Sequence, residues 1–197
     1  MFIIGITGGS GTGKTVVLRA FEALGVVTLD CDAIYHSLLS GNDELKSELS
    51  SRFTGVLQNG VIDRKRLGGI VFNDPSALLE LNAITHKYIG AEIERRITEV
   101  ATQGAGVAVI EAIALIESGL SEKCDVVVGI TAPLNARISR IIDRDKITHE
   151  QAEARINAQK PDSFYIENCD YMLENNYQNP DEFEEKCKDF IAELLRD

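Results

Sequence analysis

The stretch Gly8-Gly9-Ser10-Gly11-Thr12-Gly13-Lys14-Thr15 carries residue types suited to holding a polyphosphate. It satisfies G-x-x-x-x-G-K-[ST], with Gly8, Gly13, Lys14 and Thr15 in register. Glycines let a backbone wrap closely around phosphates with its N–H groups inward, and the N-terminus of a following helix adds favourable potential. The expected cradle runs through Gly11, Thr12, Gly13, Lys14, Thr15 and Val16. Lys14 brings a point charge to the β- and γ-phosphates, and the Thr15 hydroxyl is placed to ligate Mg²⁺. The ligand that fits is a nucleoside triphosphate.

A second group of reactive residues stands in Val26-Val27-Thr28-Leu29-Asp30-Cys31-Asp32, where a short run of branched residues stops in two carboxylates. These acids could bind a metal, cap the next helix or take a proton from a substrate. In parallel sheets ligands sit outside the carboxyl ends of the strands. A carboxylate there accepts a hydrogen bond from an acceptor hydroxyl and orients it toward the γ-phosphate, and Asp32 is expected in that role with Asp30 as its support. Helix capping by Asp32, just ahead of Ala33-Ile34-Tyr35, is the competing account. Cys31 should point to the other face, into the core. Arg137, Arg140 and Arg144 recur at helical spacings of three and four and so share one face. Phosphoryl transfer needs cations over the γ-phosphate, which selects Arg140 and Arg144 as clamps.

Strands and helices must position these groups. Buried strands are expected at Phe2 to Ile6, Val26 to Leu29, Val107 to Ile110, Val126 to Thr131 and Tyr171 to Leu173, alternating with helical periods. That alternation predicts a doubly wound α/β/α domain of the P-loop type around a five-stranded parallel sheet. Helices are expected at Lys14 to Leu24 before Gly25, from Pro75 behind an Asp74 cap, after Pro133, and from about Asp181 to Leu195. Within a single kinase domain, residues 1–32, 104–136 and 162–197 form the core and 33–103 a helical insertion for the acceptor. Residues 137–161, charged and with few apolar anchors, form a lid.

Composition narrows the class. The 197 residues include 44% hydrophobic and 26% charged, enough for a packed core. With 20 basic against 31 acidic residues the net charge is −11, which disfavours a nucleic-acid partner. The longest apolar runs are too short to span a membrane, and the start leads directly into the phosphate motif, so a cytoplasmic protein is expected. The four cysteines lack metal-finger spacing and read as structural thiols. No N-K-x-D is present to read guanine, and the strand Val107-Ala108-Val109-Ile110 leads to Glu111 where motor ATPases carry Asp. A small-molecule kinase fits these features best.

The chain resembles the dephospho-coenzyme A kinase family over nearly its whole length. The likeness rests on GITGGSGTGKT, LGVVTLDCDAI, LNAITHKYI, RIIDRDKITHEQAEARINAQ and CDYMLENN. The resemblance implies that Asp32 is the base for the ribose 3′-hydroxyl of dephospho-coenzyme A, that ATP and Mg²⁺ are used, and that Asn175 and Asn176 lie near adenine. The chain departs from the family at Lys87, where His86 is usually followed by Pro, at Ile113-Ala114-Leu115, and at Glu111. His86 is expected to be a structural hydrogen-bonding residue. A related kinase for another nucleoside, nucleotide or small alcohol, and a catalytically silent ATP-binding regulator, stay as alternatives. Oligomeric state is not fixed by the sequence, a monomer being favoured.

Overall fold

A computed structural model describes residues 1–196, which divide into two compact units, residues 30–102 and the remainder. The five expected strands are all present as β1 (Phe2–Thr7), β2 (Val27–Asp30), β5 (Val107–Glu111), β6 (Val126–Thr131) and β7 (Tyr171–Glu174). They form one parallel sheet in the order β2-β5-β1-β6-β7. Ile4, Ile6, Val109, Ile110, Val128 and Ile130 are fully buried, as strands covered on both faces require.

Helix α1 (Lys14–Ala23) and the C-terminal α9 (Pro180–Leu194) pack on each other over this sheet. Val17, Ala20 and Phe21 of α1 meet Phe183, Cys187 and Ile191 of α9 in the main core. Gly25, at φ 77, ends the α1 region in the left-handed conformation that the sequence anticipates. Burial pushes the thiols of Cys124 and Cys187 up to about 12 and that of Cys169 to about 11, which makes them packing groups.

After β6 the chain forms α6 (Leu134–Asp145), α7 (His149–Asn157) and α8 (Asp162–Asn168). The expectation of few apolar anchors in residues 137–161 is corrected here. Ile138 and Ile141 of α6 pack with Ala152 and Ile156 of α7 in a small core of their own. Their spacing of three and four puts each pair on one helix face, a pattern masked in the sequence by the charges between them.

The smaller unit comprises α2 (Cys31–Gly41), α3 (Asp43–Arg52), a hairpin of β3 (Leu57–Gln58) and β4 (Val61–Ile62), α4 (Arg64–Val71) and α5 (Pro75–Thr102). The first three of these helices pack along α5. Asp74 Oδ1 accepts from the Ser76 and Ala77 N–H groups at 2.9 and 3.2 Å, so the expected cap is present. Lys87 lies inside the 28 residues of α5, where a proline would remove a helix bond at a cost of about 3 kcal/mol. Among the described residues no helix is long and apolar enough to cross a membrane.

The α1–α9 contact is expected to dominate stability. Ile191→Ala should cost about 2–5 kcal/mol in urea unfolding, because Ile191 is wholly buried against α1 and the sheet. A cost below about 1 kcal/mol would mean that α9 is not part of that core.

Candidate active site

The loop from Gly8 to Gly13 joins β1 to α1. At Gly8, φ is 140 and a Cβ would lie 2.3 Å from the Ile130 carbonyl oxygen, so glycine alone lets the loop leave the sheet this closely. Gly13, at φ 106, precedes α1 with no side-chain cap, whereas Asp30, Asn42, Asp63 and Thr148 cap α2, α3, α4 and α7. A helix start without a side-chain cap behind a glycine loop is the arrangement that binds phosphate, and the Val16 N–H there donates to Gly13 O at 2.9 Å.

Each carbonyl from Gly8 to Thr12 is held by a side chain. Lys14 Nζ donates to Gly8 O at 3.0 Å, and Thr12 Oγ1 to Gly9 O at 2.9 Å. Arg137 Nε donates to Ser10 O at 3.0 Å, Arg140 Nη1 to Gly11 O at 3.1 Å, and Asn175 Nδ2 to Thr12 O at 2.8 Å. Across a trans peptide the carbonyl and the next N–H point in opposite directions. Holding the carbonyls therefore fixes the orientation of the N–H groups that follow them, of which that of Ser10 is itself taken by Gln159 Oε1 at 2.8 Å.

The sheet delivers these donors. Register places Ile6 beside Glu111, and Glu111 Oε1 lies 3.5 Å from Lys14 Nζ, both side chains 10% exposed. Register also places Thr131 beside Glu174, and the next residue, Asn175, donates its N–H to Thr131 O at 2.8 Å. Its side chain, buried, accepts from Arg140 Nη2 at 3.2 Å while reaching Thr12. Arg140 Nη2 also donates to Tyr177 O at 2.9 Å, and burial lowers the Arg140 pKa from its usual value. A cleft of about 470 Å³ beside this network is lined by Pro133, Asn135, Ala136, Arg140, Asn176 and Tyr177 among others.

Other expected residues lie elsewhere. Thr15 is exposed in the first turn of α1, and Val16 follows it half-buried. Arg144 is exposed and forks onto Asp145 at 2.7 and 2.9 Å. Hydrogen bonds from Arg144 and then Arg155 hold the Asp145 carboxyl down at about 2. Asp32 is exposed in the first turn of α2. The cap on that helix is Asp30, whose Oδ1 accepts from Ala33 N at 2.9 Å, so the competing account of Asp32 as the cap does not hold. Asp30 keeps extended backbone angles just outside the helix, and Asp32 lies inside it.

Arg137, Gln159 and the Lys14 pairing of Glu111 were not anticipated as site features. Helical spacing already put Arg137 on the face of Arg140, but nothing in the sequence marked it as the buried member. Gln159 had no local signal, because its partner Ser10 is 149 residues away.

The model of the dephospho-CoA kinase family matches residues 2–181. The chain belongs to the dephospho-CoA kinase family. The Geobacter sulfurreducens dephospho-CoA kinase is 35% identical over 98% of both chains, and that of Corynebacterium glutamicum 33% identical over 99% of this chain and 98% of the other. The solved dephospho-CoA kinase of Campylobacter jejuni is 28% identical and superposes with a TM-score of 0.71, covering 98% of this chain and 96% of that one. At Lys87 and Ile113, where the sequence is expected to depart from the family, defined contacts are made. Lys87 Nζ pairs with Glu48 at 3.2 Å, Tyr88 donates to the same carboxylate at 2.7 Å, and Ile113 O accepts from Thr7 Oγ1 at 3.1 Å.

Asn175→Asp is expected to weaken nucleoside triphosphate binding about tenfold or more, since it sets an oxygen against the Thr12 carbonyl in a buried place. Calorimetry checks this. Wild-type affinity would show that the loop keeps its shape without that donor.

Proposed function

We propose that this chain transfers the γ-phosphoryl group of ATP to the ribose 3′-hydroxyl of dephospho-coenzyme A, giving coenzyme A and ADP. The observation that carries the reading is the phosphate loop, braced at every carbonyl from Gly8 to Thr12, in a chain that matches the family over residues 2–181.

The N–H groups from Gly11 to Thr15 hold the β- and γ-phosphates, with Val16 closing the first turn of α1 through its bond to Gly13 O, and Lys14 adds charge to them. Asn175 and Arg140 keep the loop and the Tyr177 turn in one arrangement beside the cleft suited to the nucleotide base. Arg144 supplies a second cation from the exposed face of α6. Among the described residues no three His, Cys, Asp or Glu side chains converge as a metal cluster. The Thr15 hydroxyl and the Glu111 carboxylate are hard oxygen donors suited to Mg²⁺, which takes one or two protein oxygens and completes its shell with phosphate and water. Thr15 Oγ1 would hold it directly and the Glu111 carboxylate through water. When bound, Mg²⁺ neutralises charge on the phosphates.

Asp32 accepts the proton of the acceptor hydroxyl as that oxygen bonds to the γ-phosphorus and the bond to the bridging oxygen breaks. Its place in the first turn of α2, directly after β2, and the capping of that helix by Asp30 leave its carboxylate to this task.

Coupled measurement of ADP release with dephospho-coenzyme A, with other hydroxyl acceptors and with none tests the reading. Turnover is expected with dephospho-coenzyme A. Faster turnover on another acceptor would assign the departures at Lys87, Glu111 and Ile113 to a different substrate, and binding without turnover would identify a regulator. Asp32→Asn is expected to lower kcat about 10²-fold or more with ATP affinity nearly unchanged. Unaltered kcat would remove Asp32 from the chemistry.

A further inference from the structure

Ser10 stands at the tip of the phosphate loop, 6% exposed, and each of its polar groups is taken by one of two side chains from the α6–α8 segment. Its N–H donates to Gln159 Oε1 at 2.8 Å. Its hydroxyl accepts from Gln159 Nε2 at 2.8 Å. Its carbonyl accepts from Arg137 Nε at 3.0 Å. Arg137 is itself 5% exposed, lies 3.4 Å from Asp162 Oδ1 and reaches Gln159 Oε1 at 3.5 Å. A Cβ on Gly9 would meet Arg137 Nη2 at 2.1 Å, and one on Gly11 would meet the Arg137 carbonyl oxygen at 2.7 Å. Gly11, at φ 78 against the Arg137 backbone, is therefore dictated by that approach, and at Gly9 a side chain would displace the Arg137 guanidinium.

We propose that Gln159 is a positioning residue for phosphoryl transfer, fixing Ser10 in backbone and side chain so that the loop arm remote from α1 has the shape that accepts the terminal phosphoryl group. The primary amide is the group that can do this. It presents an acceptor and a donor on one planar end, matching the N–H and hydroxyl oxygen of a single serine. Ser10 is held at three points, and rotation of its peptide would leave buried polar groups unpaired. The α1 side of the loop owes its form to the helix, Lys14 and Asn175, whereas the Ser10 side depends on Gln159 and Arg137. Removal of the amide therefore perturbs the terminal phosphoryl more than the β-phosphate.

This inference rests on the reading of the loop as an ATP site, and its test does not need the acceptor. Calorimetry with ATP and with ADP is compared for the wild type, Gln159→Ala and Gln159→Glu, together with thermal unfolding and kcat. Gln159→Ala is expected to lose about tenfold in ATP affinity, about 1.4 kcal/mol, with a markedly smaller loss for ADP, and to lower kcat about tenfold. Gln159→Glu keeps acceptors for the Ser10 N–H and hydroxyl, so it should restore kcat at saturating ATP while raising KM for ATP by adding negative charge. Adding Ser10→Ala to Gln159→Ala should cost less than it does in the wild type. Equal losses for ATP and ADP, or a lowered unfolding temperature with unchanged affinities and kcat, would overturn the proposal in favour of a packing role. Absence of wild-type turnover with dephospho-coenzyme A would sink the acceptor assignment alone, because the ATP-to-ADP comparison would still decide the role of Gln159.

Discussion

A loop built from glycines has almost no side chains with which to hold its own shape, and that constraint governs this structure. Apart from the Ser10 N–H, which Gln159 takes, the groups that such a loop can offer a ligand are backbone N–H, so their orientation must be imposed through the carbonyls on the other side of each peptide. Lys14 and Thr12 provide two of the grips from within the loop and the first turn of α1. Arg137, Arg140 and Asn175 provide the others from elements 127, 129 and 163 residues away. Long-range side chains stand in for the local rigidity that glycine gives up, whose backbone entropy cost is the largest of any residue.

Parallel strands make such convergence possible. β1, β5, β6 and β7 all end at one edge of the sheet, so the residues that follow them arrive together whatever their separation in sequence. Glu111 ends β5, Asn175 follows β7, and α6 begins three residues after β6. The Lys14–Glu111 pair illustrates the energetics. Both groups are nearly buried, so each would be costly alone, and the pairing offsets that cost.

Much of this was legible in the sequence, and what was illegible has physical reasons. The strands announced themselves through branched residues, α5 through Asp74-Pro75, and the loop through its motif. The β3–β4 hairpin carried a signal that was passed over. Asn59-Gly60 between two-residue strands has both residues at positive φ, 50 and 79, as a type I′ turn demands. The choice of Asp30 as the α2 cap was harder, because two acids two residues apart fit the pattern equally and only the onset of helical backbone separates them. Gln159 was beyond local reasoning altogether, since a glutamine amid charged residues resembles a solvated face until its partner is known.

The α6–α7 segment shows why charge density is a poor guide to attachment. Arg137, Arg140 and Arg144 lie on one helix, and burial declines from the first to the last: buried against Ser10, half-buried on Gly11 and Asn175, exposed with Asp145. The helix thus passes from fixed scaffold to surface within its 12 residues. Its amino-terminal half is part of the phosphate loop's support, and any displacement of that half would release the Ser10 and Gly11 carbonyls into burial without partners. Movement that leaves the loop intact is therefore confined to the carboxyl-terminal turn of α6. Ile138 and Ile141 tie the supporting part of α6 to Ala152 and Ile156 of α7, and Gln159, just beyond α7, holds Ser10, so α7 is fixed to the same scaffold.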